Sequence, residues 1–261
     1  MALRAARPLT ATDRLRPDSM LGRFLEIGIA TQDIRASVEF YERLGFTQAQ
    51  TGDIWPHPYG VLTDGRVCIG LHQGRLASPA LTFVHPGVAD RVPALEQLGI
   101  ELSTVNIGGE VFHEVGFGDP AGQTVRLLEA RTFSPPARSA LETSSCGEFR
   151  ALSMPAADFG RVRQFWEALG FVAEEEQAQP YPHLSVGCDS IKLALHRPRF
   201  FAEPLLVFAD TGMPARIARL RELGIGRIER PPAVLEARAN ALLFAPEGTA
   251  LLLLCSATPP P

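Results

Sequence analysis

Six histidines, His57, His72, His85, His113, His183 and His196, are the side chains of this 261-residue chain best suited to chemistry near neutral pH. Imidazole can ligate a divalent metal, or move a proton. His72 with His113 and Glu114, or His72 with His57, could form a ligand set, but their spacing carries no ligand signature. Strand-end and loop positions, or hydrogen bonds to a ligand, are the other readings. The loop Trp55-Pro56-His57-Pro58-Tyr59 is rich in flat side chains, and Phe112, His113 and Phe117 lie on a nearby strand. Together they could stack on a planar or apolar ligand; equally, the loop could pack onto its own half of the chain. Cys68, Cys146, Cys188 and Cys255 form no CxxC pair and read as reduced thiols. Cys68 falls mid-strand, where burial argues against reactivity. A glycine-rich phosphate loop and a Ser-His-Asp order are both missing.

The elements that must position these residues stand out as repeats. Phe40-Tyr41-Glu42-Arg43-Leu44-Gly45-Phe46 returns as Phe165-Trp166-Glu167-Ala168-Leu169-Gly170-Phe171, and Leu98-Gly99-Ile100 returns as Leu223-Gly224-Ile225. Each reads as a helix ending on a left-handed glycine with a strand beginning after it. Asp33 and Asp158 are N-caps. Behind them Ile34, Ser37, Tyr41 and Leu44, and Phe159, Val162, Trp166 and Leu169, fall on one helical face. The run 24–30 reads as the first strand, and 59–63 with 67–72 as a hairpin turning on Asp64-Gly65. A second unit follows, with a strand over 80–84 and a helix whose face is Val92, Leu95 and Leu98. Strands over 101–105, 111–117 and 124–128 complete it, with a turn at Asp119-Pro120-Ala121-Gly122. The second half copies this order. The result is an α+β protein of four βαβββ units. They divide into an N-terminal arm (1–21), a first domain (22–130), a linker (131–147), a second domain (148–256) and a tail (257–261).

Composition narrows the function classes. The chain is 46% hydrophobic and 21% charged with a net charge of −4, so neither nucleic acid nor an anionic membrane is an expected partner. No run reaches the roughly 18 apolar residues of a membrane span. Residues 1–19 carry four arginines without an apolar core, so they read as a disordered arm and not a secretory signal; Met20 could be the natural start. A cytoplasmic protein is expected.

The pattern Gln32-Asp33-Ile34-x-x-Ser37-x-x-Phe40-Tyr41-x-x-Leu44-Gly45-Phe46, with Gly118-Asp119-Pro120-Ala121-Gly122-Gln123, resembles the vicinal oxygen chelate superfamily. That group includes glyoxalase I, extradiol dioxygenases and bleomycin-resistance proteins. The resemblance covers nearly all of residues 22–255. It implies that two βαβββ units curl into one eight-stranded half-barrel with a ligand cavity, twice over. It also implies a divalent metal held by side chains of the first, fifth and last strands of a half. The matching positions here are Glu26, Ala80 and Arg126, then Ala151, Leu205 and Leu252; the further carboxylate of glyoxalase I falls at Ile69 or Gly70. One possible ligand facing an arginine does not hold a cation.

The reading is therefore a glyoxalase-like, pseudo-dimeric monomer or homodimer without a metal or other cofactor, binding a small planar or apolar molecule. Glu26, Trp55, His57, Tyr59, His113, Phe117 and Arg126 are the expected contacts. Glu26 and Arg126 are expected to pair in place of the metal, the alternatives being solvated side chains or substrate anchors. A metal-dependent lyase or dioxygenase with relocated ligands is the alternative function, and a structural or regulatory partner protein a third.

Overall fold

The computed structural model describes residues 20–50, 55–74, 76–109, 112–129 and 144–256. The expected N-terminal arm up to residue 19, most of the expected linker and the tail from 257 lie outside them. The first half opens with β1 (Arg23–Ala30), α1 (Ile34–Arg43), β2 (Thr47–Ala49), β3 (Tyr59–Thr63) and β4 (Cys68–His72). Its second unit is β5 (Ala80–His85), α2 (Val92–Gln97), β6 (Leu102–Asn106), β7 (Glu114–Gly118) and β8 (Thr124–Glu129). The second half repeats the series: β9 (Glu148–Pro155), α3 (Phe159–Ala168), β10 (Val172–Ala173), β11 (His183–Gly187) and β12 (Lys192–His196). Then come β13 (Leu205–Asp210), α4 (Met213–Glu222), β14 (Arg227–Glu229), β15 (Ala241–Phe244) and β16 (Ala250–Cys255). Among the described residues each half is one eight-stranded sheet, ordered β2-β3-β4-β1-β5-β8-β7-β6 and β10-β11-β12-β9-β13-β16-β15-β14. This is the expected four-unit α+β architecture.

The local signals act as their chemistry dictates. Asp33 Oδ1 accepts from Ala36 N at 3.1 Å and Asp158 Oδ1 from Arg161 N at 3.0 Å, each satisfying an orphan donor at a helix start. Gly45, Gly99, Gly170 and Gly224 take φ of 92°, 73°, 91° and 58°, which only glycine tolerates cheaply. Leu98 and Leu223 depart from expectation: each follows its helix and is exposed, and Ile100 and Ile225 are buried instead.

The sheet face that carries Ile27, Phe83, Leu127 and Phe117 packs under the helices, in one core that spans both halves. The halves grip each other reciprocally. Tyr41 of α1 donates to Glu247 in the last turn of the second half at 2.9 Å. Its counterpart Trp166 of α3 donates Nε1–H to Asp119 in the last turn of the first half at 3.1 Å. Phe83 meets Phe171, and Phe46 meets Phe208, edge to face. The helix faces are thus used up in joining the halves, which leaves the opposite sheet faces for a ligand.

Candidate functional site on the open face of the first sheet

Register decides which side chains share the open face. β1 and β5 are antiparallel, and a bulge interrupts them between Phe24 and Glu26. The extra residue lets Phe24, opposite Phe83, turn into the core, while Glu26, opposite Thr82, turns away from it. Thr82 in turn lies beside Arg126 of β8. The row at the expected metal position is therefore Glu26, Thr82 and Arg126, one pleat away from the expected Ala80. The corresponding row of the second half is Ala151, Val207 and Leu252, in place of the expected Leu205.

Glu26 and Arg126 do not pair. One strand stands between them, so their backbones are about 9.5 Å apart, and each leans outward to a nearer partner. Glu26, with no exposed surface, lies over Gly70 of β4, where a Cβ would overlap its carboxylate. Its Oε2 accepts from the Tyr59 hydroxyl, and its Oε1 accepts from His72 Nε2 at 3.0 Å. Tyr59 and His72 are cross-strand partners, and their rings sit 4.7 Å apart. Arg126 instead donates through Nε to Glu114 Oε1 at 2.8 Å, the diagonal neighbour on β7. The buried carboxylate is thus stabilised by charge-assisted hydrogen bonds and not by the guanidinium.

The aromatic loop lies over this row. The Trp55 indole sits with its ring centroid 4.3 Å from the Arg126 guanidinium carbon, stacks on His57 at 5.7 Å and meets His72 edge-on at 5.4 Å. His57 Nε2 is 3.0 Å from His72 Nδ1, which extends the polar line from Glu26 to the loop. Burial, then His72 and Arg126, lower the pKa of His57. Burial and the Glu26 carboxylate raise that of Tyr59, which keeps the phenol protonated. Thr82 Oγ1, in the middle of the row, is buried without a hydrogen-bond partner.

Five of the seven expected contacts, Glu26, Trp55, His57, Tyr59 and Arg126, are brought together. Two are not. Phe117 pairs with Val125 on the helix-covered face, is 1% exposed and packs near Phe165 of the other half. His113 is bound to Glu129 Oε2 and Gly108 O at the far end of β7. Three further residues adjoin them, of which the sequence reading named His72 and Glu114 only as candidate metal ligands and Thr82 not at all. His72 is the hinge of the polar line, Glu114 holds Arg126, and Thr82 presents the orphan hydroxyl. The end-of-strand His72, repeated as His196, and its grouping with Glu114 in a possible ligand set were the sequence signals, and nothing marked Thr82.

The metal implied by the superfamily can be tested against these donors. Threonine and arginine supply no ligand at two of three positions, and both oxygens of Glu26 already accept protein hydrogen bonds. The three-position metal site does not fit this row. Among the described residues no cluster of three or more His, Cys, Asp or Glu side chains could hold a metal ion.

The second half has no carboxylate at its row. His196 replaces His72 but is sealed: Ser153 Oγ donates to its Nδ1 at 2.7 Å and its Nε2 donates to Phe201 O at 3.0 Å. Tyr181, Phe201, Leu205, Leu252 and Leu235 form a small apolar core there. Beside it a cavity of 690 Å³ remains, floored by Ala151, Ala194, Val207 and Ala209 and rimmed by Arg150 and Lys192. No helix among the described residues is long and apolar enough to cross a membrane.

No protein-family model matches the chain, and no curated protein matches its sequence. Solved structures do. An extradiol ring-cleaving dioxygenase from B. fuscum superposes with a TM-score of 0.60 at 18% identity, over 91% of this chain and 74% of that one. Homoprotocatechuate 2,3-dioxygenase from Arthrobacter globiformis gives 0.59 at 18% identity, over 88% of this chain and 78% of that one. At such identities the likeness is one of fold. The chain shares the fold of these extradiol dioxygenases, carried among its described residues by two tandem eight-stranded sheets.

Proposed function

We propose that the first half binds a small planar molecule on its open face without a resident divalent metal, in the manner of the drug-sequestering members of the superfamily. One observation carries this: the row Glu26–Thr82–Arg126 keeps the position of a metal site but has one possible ligand, already engaged by Tyr59 and His72. Trp55, His57, Tyr59 and Arg126 supply flat and cationic contacts, and the buried hydroxyl of Thr82 awaits a partner. The deciding experiment takes untagged protein, loads it with Fe, Mn, Zn or Ni, dialyses it, and measures retained metal together with binding of planar aromatic probes by calorimetry. The proposal expects substoichiometric metal and probe affinity that chelators leave unchanged.

A second reading is a metal-dependent enzyme with relocated ligands. It is favoured by the neighbours' being ring-cleaving dioxygenases. Stoichiometric, tightly held Fe or Mn with cleavage of a catechol would establish it and remove the first.

A further inference from the structure

Glu26, Tyr59, His72 and His57 form an unbroken line of hydrogen bonds running from a fully buried carboxylate to a half-buried imidazole. The donors in this line can be assigned from its closed end. The Tyr59 hydroxyl has one proton and gives it to Glu26 Oε2. Glu26 Oε1 accepts, so His72 donates from Nε2. With a single proton on His72, held at Nε2, its Nδ1 keeps a lone pair, and the atom facing it at 3.0 Å, His57 Nε2, then carries the hydrogen. The remaining lone pair of His57 sits on Nδ1, which has no hydrogen-bond partner among the described residues. Across the pseudo-two-fold the same strand-end histidine, His196, is bonded at both nitrogens to Ser153 and Phe201, and the line stops inside the protein. Only the first half carries it outward.

We infer that His57 Nδ1 is the proton acceptor of a metal-independent acid–base site, with His72 and Glu26 as positioning residues that fix its tautomer. Its ligand is a planar acid with an ionisable O–H or N–H. On transfer the O–H or N–H bond of the ligand breaks, a new N–H bond forms at Nδ1, and the electron pair stays on the ligand. Across the Trp55 ring, Arg126 is held by Glu114 through Nε and Nη2. The imidazolium so formed donates from Nε2 to His72, whose own Nε2–H already points to the Glu26 carboxylate, so the new charge is met by a buried counter-charge. The groups facing His57 are His72, the Trp55 ring, the backbone at Gly74 and, beyond Trp55, Arg126. Burial, then His72 and Arg126, lower its pKa, so it rests unprotonated at neutral pH with its Nδ1 lone pair available.

The class of ligand rests on the binding reading above; the tautomer assignment does not. Long-range proton–nitrogen NMR of the full chain with labelled histidine, assigned by His57→Gln, reads the tautomer with no ligand present. The expected spectrum at pH 7 has His57 protonated on Nε2 alone. A proton on Nδ1, or on both nitrogens, overturns the relay. The ligand class is then probed with 4-nitrophenol, whose ionisation is visible by absorbance. The bound phenol is expected to ionise about tenfold more readily than the free one, one pKa unit. His57→Gln should abolish that shift, and Glu26→Gln should reduce it. A phenol that binds with unshifted ionisation, or does not bind, overturns the acid-ligand assignment.

Discussion

Removing the Glu26 side chain tests the arrangement of the open face most directly. In Glu26→Ala the Tyr59 hydroxyl and His72 Nε2–H lose their acceptor inside a site where Glu26 has no exposed surface and His72 is 1% exposed. A buried donor left without a partner costs about 1–3 kcal/mol. Two such donors give about 4 kcal/mol, to which the small cavity adds. Glu26→Gln keeps the shape but only one carbonyl acceptor, so one of the two donors faces an amide NH2 and loses its acceptor, about 2 kcal/mol. Because one core spans both halves, the described fold should unfold as a unit and urea melts should give a single transition. At about 3 °C per kcal/mol for a domain of this size, the alanine variant should melt about 12 °C below the wild type and the glutamine variant about half as far. The double-mutant cycle with Tyr59→Phe isolates the Tyr59–Glu26 bond, and its coupling should be about 1–2 kcal/mol. If Glu26→Ala were as stable as the wild type, Glu26 could not be the buried acceptor described here. A larger loss for Arg126→Ala than for Tyr59→Phe in the Glu26 background would restore the rejected Glu26–Arg126 pairing.

Other outcomes follow from the same geometry. His196 is buried and its pKa is pushed down to about 4, against about 6.5 in an unfolded chain. The unfolded state therefore binds more protons between those values. Stability is full above pH 6.5 and falls by about 3 kcal/mol as the pH drops to 4, a slope that His196→Gln should lack in pH-dependent urea melts. Gly70→Ala places a methyl group in the volume of the Glu26 carboxylate, so it should lower thermal stability and planar-probe affinity together, whereas Gly60→Ala, with open space at its Cβ, should change neither affinity nor fold. Phe117→Ala should cost about 4 kcal/mol as a core truncation yet leave probe affinity per folded molecule unchanged, since Phe117 lies on the helix-covered face. Tyr41→Phe removes a hydrogen bond between the halves and should lower the urea midpoint by an amount equivalent to about 2 kcal/mol.

The architecture was legible because its signals are local. Aspartate caps, left-handed glycines after Leu44, Leu98, Leu169 and Leu223, and the doubled Phe-aromatic-Glu motif each act within a few residues of themselves. Four such units, in two nested periods, leave little choice of fold. The aromatic loop and Glu26 could also be found by position. What could not be read was lateral. Which residue of β5 stands between Glu26 and Arg126 depends on register, and the bulge after Phe24 that sets the facing of Glu26 forms only when β1 meets β5. Phe117 looked like a cavity residue because alternation gives two faces without naming which one the helices cover.

The sequence by itself determined the fold and the duplication, because residue types and short-range geometry suffice for those. Only the tertiary structure decided who holds Glu26. Bare glycine at 70 leaves room on the β4 side, Thr82 separates the carboxylate from Arg126, and a buried charge takes the nearest donors it can reach, which are Tyr59 and His72.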